Sequence, residues 1–124
     1  MKGLFYINIR PGRFFAAAVI VLSSLVFCGN GDQNRKDLES KISSGAEDID
    51  VRTVEEFNSG HYPGAVNIPV DQLEGKISSL DKNKAYIVYC RSGRRSGIAQ
   101  KKMTESGFRN VTNAGGLKDM PEKK

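Results

Sequence analysis

The chain has 124 residues, 39% hydrophobic and 27% charged, with two cysteines, no tryptophan and a formal net charge of +5. Three of its nineteen basic residues and none of its acidic ones lie in residues 1–27, so the remainder carries sixteen basic against fourteen acidic residues. Outside one short loop there is no Lys/Arg stripe with interleaved aromatics, which excludes a nucleic-acid partner, and a remainder of about 90 residues suffices for one small core.

Residues 1–27 read as an export signal rather than as part of a fold. Lys2, Arg10 and Arg13 precede an apolar segment from Phe14 to Phe27, with positive charge on its N-terminal side only. Its fourteen residues fall short of the roughly 20 that a helix needs to cross a bilayer. Leu25-Val26-Phe27-Cys28 resembles a bacterial lipobox, in which Cys28 would become a lipid-modified N-terminus, although Phe27 stands where such a box carries a small residue. Cleavage near Ser23 or Ser24 would instead release a soluble exported protein. Residues 28–36 are small and polar and read as a flexible tether, which leaves 37–124 as the one folded domain.

Within that domain, Asp37 to Ile42 is weakly helical. Ile49 and Val51 belong to a first core strand, whose end carries Asp50 and Arg52. Thr53 is placed to cap a following helix with Glu55 and Glu56 in its first turn. Asp50 and Arg52 are read as structural support that locks this first loop to the loop after the central strand. The sole histidine, His61, sits in Gly60-His61-Tyr62-Pro63-Gly64 and is assigned to a turn rather than to acid–base work. Ala65 to Ile68 is a second short strand, and Asp71 to Leu80 carries Leu73, Ile77 and Leu80 at helical spacing.

Ala85 to Tyr89 is the central buried strand, and it runs into Cys90-Arg91-Ser92-Gly93-Arg94-Arg95-Ser96. Ile98, Ala99 and Met103 then mark one face of a helix. Gly107 is its C-terminal stop, and Asn110 to Thr112 is a last strand. Strands alternating with helices argue an α/β fold, a parallel sheet with helices on both faces. Cys90 therefore lies at the C-terminal edge of the sheet, before a helix N-terminus whose unpaired backbone N–H groups favour an anion such as a thiolate. Arg91, Arg94 and Arg95 add fixed positive charge, so the Cys90 pKa is expected to be depressed and its thiolate to act as a nucleophile. Arg91, Ser92, Gly93, Arg94, Arg95 and Ser96 are the candidate substrate-binding residues. No metal site and no structural disulfide are expected, since Cys28 belongs to the address segment and Cys90 to the site.

Four ordered segments resemble the rhodanese-like sulfurtransferases, particularly the small exported single-domain members of the phage-shock type. They are Asp50-Val51-Arg52-Thr53-Val54-Glu55-Glu56-Phe57, His61-Tyr62-Pro63-Gly64-Ala65-Val66-Asn67-Ile68-Pro69, Cys90 to Ser96, and Asn113-Ala114-Gly115-Gly116-Leu117. The resemblance covers about residues 46–120. It implies a small rhodanese-like fold that lacks a long C-terminal helix, and thiosulfate sulfurtransferase activity through a Cys90 persulfide. The outer sulfur would pass to a thiol or cyanide, with no cofactor. The implied partners are a sulfur-donor anion and a thiol acceptor or reductant, and the implied location is the bacterial periplasm, with the membrane reached only through a lipid on Cys28. The alternatives are a non-catalytic sulfur-binding or sensing module and a cysteine phosphatase or arsenate reductase. The second alternative needs an arginine six residues after the nucleophile, where this chain has Ser96.

Overall fold

The computed structural model describes residues 30–123. The segment 1–27 expected to serve export, Cys28 and Lys124 lie outside the described residues. Four strands, β1 (Glu47–Asp50), β2 (Val66–Asn67), β3 (Ala85–Cys90) and β4 (Asn110–Gly116), form one parallel sheet in the order β2-β1-β3-β4. The helices are α1 (Asn30–Ser43), α2 (Val54–Asn58), α3 (Leu73–Lys76) and α4 (Arg94–Glu105). A tighter turn, Ile77–Ser79, extends α3, and another, Leu117–Asp119, follows β4.

The central strand explains the layering. Successive side chains of a strand point to opposite faces, and Tyr86 to Cys90 are all buried, as expected for a parallel strand covered on both sides. Tyr86, Val88 and Cys90 join Ile49, Leu73, Ile77, Ala99 and Met103 in one core under α3 and α4. Ile87 and Tyr89 join Leu38, Tyr62, Ala114 and Met120 in the other, beneath α1. The expected α/β sheet with helices on both faces is present, and among the described residues no long helix follows β4.

Several elements differ from the sequence expectation. Residues 30–36, expected as a flexible tether, are the first part of α1. Leu38 is fully buried against the sheet, and a helix anchored at one turn extends cheaply because the nucleation cost has already been met. The helix expected from Asp71 to Leu80 is reduced to one α turn followed by a 3₁₀ turn, with Gly75 inside it, a residue that weakens helices. Val51 lies just beyond β1, although its N–H still bonds to the Tyr89 carbonyl at 3.1 Å. The last strand runs four residues past Thr112, to Gly116, with an irregularity opposite Val88/Tyr89 that accommodates Ala114.

At the end of α4, the Phe108 N–H bonds to the Met103 carbonyl and the Gly107 N–H to the Thr104 carbonyl, both at 3.1 Å, with Gly107 at φ 95°. This pair of bonds is a Schellman motif, in which glycine takes the left-handed position at least cost. No helix among the described residues is long and apolar enough to cross a membrane.

Candidate active site

Cys90 ends β3 and α4 begins at Arg94, so three residues must reverse the chain. Gly93 makes this turn with φ 95°, and a Cβ there would lie 3.3 Å from the Gly115 Cα. Asn113 fixes the loop from the neighbouring strand. Its Nδ2 donates to the Gly93 carbonyl at 3.3 Å, and its Oδ1 accepts the Gly115 N–H at 2.9 Å. Gly116 is packed so closely that an added Cβ would lie 2.5 Å from the Arg91 carbonyl oxygen. The glycine pair thus serves close backbone approach beside the loop that follows Cys90.

Cys90 has no exposed surface. Its Sγ accepts the Gly93 N–H at 3.0 Å and lies 3.5 Å from the Ser96 hydroxyl, which also reaches the Gly115 carbonyl at 3.3 Å. Burial pushes the thiol pKa up, but hydrogen bonds from the Ser96 hydroxyl and from the backbone N–H groups of Ser96, Gly93 and Ser92 outweigh it, and the pKa comes down to about 7. The loop therefore stabilises sulfur chiefly through amides and one hydroxyl.

The three loop arginines divide. Arg91 and Arg94 are exposed and form no ion pair among the described residues. Arg95 Nη1 and Nη2 hold both Glu56 oxygens at 2.7 and 2.9 Å. Arg95 beside it, with the Thr53 N–H, brings the Glu56 carboxyl down to about 2. Thr53 and Glu56 also form a capping box on α2, so the expected cap is present and its glutamate does double duty. Asp50 is fully buried and Arg52 is 6% exposed. The Arg52 Nε and Nη2 grip the Asp50 carboxylate at 3.0 and 2.6 Å, and Nη2 donates to the Gly60 carbonyl at 2.7 Å. Asp50 and Arg52 thus secure the turn at Gly60, while the bond from the first loop to the active loop is made by Glu56 and Arg95.

His61 is exposed, stacks on Phe57 at 3.7 Å and pairs Nδ1 with the Phe57 carbonyl at 2.9 Å. It has the turn role expected of it. Sequence reasoning missed Asn113 and Glu56 as loop supports. Their signal was the amide two residues before a glycine pair and the Thr-x-x-Glu spacing.

These contacts make the charge state of Cys90 measurable. Its alkylation by a neutral reagent should rise with pH and reach half its maximum near 7, against about 8.5 for an ordinary cysteine. Ser96→Ala should move the midpoint upward by more than Arg94→Gln does, because the hydroxyl touches sulfur and the exposed guanidinium does not. Equal midpoints in wild type and Ser96→Ala would contradict this account. The sign also fixes a stability effect. A folded-state pKa below the unfolded value stabilises the fold above the unfolded pKa, and that contribution is lost as pH falls through about 7.

Comparison with known proteins agrees with this geometry. The sequence profile of the Rhodanese-like domain matches residues 34–120. The chain is 45% identical over 74 residues to thiosulfate sulfurtransferase PspE of Escherichia coli, covering 58% of this chain and 71% of that protein. Among solved structures, a rhodanese with anions from E. coli superposes with a TM-score of 0.59 at 43% identity, over 64% of this chain and 99% of that one. The human single-domain sulfurtransferase TSTD1 superposes with a TM-score of 0.62 at 28% identity, over 68% of this chain and 88% of that one. With the strand–loop–helix around Cys90 and a match to well over half its length, the chain belongs to the rhodanese-like domain family.

Proposed function

We propose that the protein is a thiosulfate-type sulfurtransferase that carries a sulfane sulfur on Cys90. The observation that carries this reading is the Cys90 Sγ, which accepts the Gly93 N–H at 3.0 Å and lies 3.5 Å from the Ser96 hydroxyl, contacts that favour its thiolate. A thiolate so held attacks the outer sulfur of thiosulfate. The new bond joins Sγ to that sulfur, the sulfur–sulfur bond of thiosulfate breaks, and sulfite departs with the electron pair. The product persulfide is an anion in the place of the thiolate, so the same amides suit both. A thiol or cyanide then takes the outer sulfur and returns Cys90 as thiolate. Both steps balance without a metal or organic cofactor.

Loop length supports sulfur over phosphate. The sixth position after Cys90 is Ser96, buried with its hydroxyl turned to Sγ, and Arg95 is engaged by Glu56. No guanidinium stands where a cysteine phosphatase needs one to clasp a phosphate. Mixing the protein with thiosulfate before any acceptor is present should release close to one equivalent of sulfite per Cys90. A release no greater than that of Cys90→Ser would favour a sulfur-binding module without turnover.

We further propose that the chain is exported to the periplasm and anchored through a lipid on Cys28, supported by the apolar run that ends in Leu25-Val26-Phe27-Cys28. The full-length protein made in a bacterial host should partition into detergent, and Cys28→Ala should move it to the aqueous phase. Aqueous behaviour of both forms would reject the anchor.

A further inference from the structure

The C-terminal edge of the sheet holds more space than thiosulfate needs. A groove of about 720 Å³ is lined by Arg52, Glu56, Ser59, Arg91, Leu117 and Lys118. These residues follow β1, β3 and β4 in turn. Arg91 comes a single residue after Cys90, and Leu117 a single residue after Gly116, the register partner of Cys90. Thiosulfate has five non-hydrogen atoms and takes the room of a few waters, at roughly 30 Å³ each. A cavity of several hundred Å³ is instead the size that an organic molecule occupies.

The charges of the groove are not equivalent. Arg52 is committed to Asp50, and Glu56 to Arg95. Ser59 donates its hydroxyl to the Glu56 carbonyl at 2.7 Å. That leaves Arg91 and Lys118, both exposed and neither in an ion pair among the described residues, beside the half-buried side chain of Leu117. Two cations and one apolar residue lining the same groove suit an organic anion with a short hydrocarbon stem.

We propose that this groove receives the sulfur acceptor, that the acceptor is a low-molecular-weight thiol bearing carboxylates, and that Lys118, with Arg91, selects it by charge. The inference rests on the transferase reading given above. The acceptor thiolate attacks the outer sulfur of the Cys90 persulfide. A bond forms between the two sulfurs, the bond from the outer sulfur to Sγ breaks, and Cys90 leaves as thiolate. The proton of the acceptor thiol ends on the product persulfide. Lys118 touches the carboxylates of the acceptor and not the reacting sulfurs, so it acts on selectivity.

The test uses protein loaded with thiosulfate, desalted and mixed with mercaptosuccinate or with neutral 2-mercaptoethanol, following decay of the Cys90 persulfide. The readout is the ratio of the two second-order rate constants, in which the intrinsic reactivities of the thiols cancel between variants. An exposed ion pair contributes up to about 1 kcal/mol, so Lys118→Ala should lower the ratio about fivefold at low salt. Lys118→Glu should lower it by about tenfold or more, and Lys118→Arg should restore it. In wild type the preference should shrink at high salt, where exposed charges are screened. A ratio in Lys118→Glu within about twofold of wild type would overturn the assignment. Failure of any persulfide to accumulate on Cys90 would overturn the transferase reading and this inference with it.

Discussion

Cys90→Ser is expected to abolish thiosulfate-dependent thiocyanate formation while leaving the fold intact. The serine hydroxyl fits the space of the thiol and can take the same Gly93 N–H bond. It ionises far above neutral pH and cannot form a persulfide, so the proposed transfer would lose its covalent carrier. Residual turnover should lie below about one per cent of wild type, the scale of loss seen when a sole nucleophile is removed. The circular dichroism and thermal transition should stay close to wild type. Turnover above that level in a folded variant would mean that sulfur moves by a route that does not pass through Cys90.

The largest expected loss of stability comes from Arg52→Ala. Asp50 is fully buried and Arg52 nearly so, and three side-chain bonds join them. The hydrogen bonds to Asp50 hold the Arg52 guanidinium pKa above its usual value. Removing the cation leaves a carboxylate in the interior held by the backbone N–H of residue 52, at 2.9 Å, with the Tyr89 hydroxyl beside it and no compensating charge. Breaking a buried pair in this way costs about 3–5 kcal/mol, a large share of the about 5–15 kcal/mol that holds a domain folded. At roughly 4–8 °C per kcal/mol for a domain of this size, the thermal midpoint should fall by more than about 12 °C. Arg52→Lys should fall between the two, since an ammonium keeps the charge but not the fork. A midpoint within about 5 °C of wild type in Arg52→Ala would show that Asp50 finds another partner.

The central strand, the active loop and the Gly107 stop were legible in the sequence because each has a local cause. Tyr86 to Tyr89 is apolar on both faces, Gly93 supplies the left-handed turn, and Gly107 closes a Schellman motif. The missed features depend on partners distant in sequence. Asn113, Ala114, Gly115 and Gly116 have poor strand propensity, yet they extend β4 because Val88 to Cys90 offer a ladder to pair with. Residues 30–36 look like a linker until Leu38 is seen buried beneath the second face of the sheet.

At the site, residue types announced the chemistry, while pairings needed coordinates. Cys90, Gly93 and Ser96 meet at sulfur as the strand–loop–helix pattern implied. Three clustered arginines gave no sign that Arg95 belongs to Glu56, which lies 39 positions away. Lys118, two residues after Gly116, was given no role from sequence. Its place on the groove follows from the parallel order of β1, β3 and β4, which brings the residues after each strand to one edge.

A persulfide on Cys90 is the species that the proposed transfer requires, and it can be weighed directly. The protein should be incubated with thiosulfate, quenched without reductant, blocked at free thiols and digested, and the peptide containing Cys90 weighed by mass spectrometry. That peptide should gain one sulfur atom, lost on addition of a thiol or cyanide and absent in Cys90→Ser. An unmodified Cys90 peptide after exposure to thiosulfate, in protein whose thiol still alkylates with a midpoint near 7, would contradict the proposed transfer.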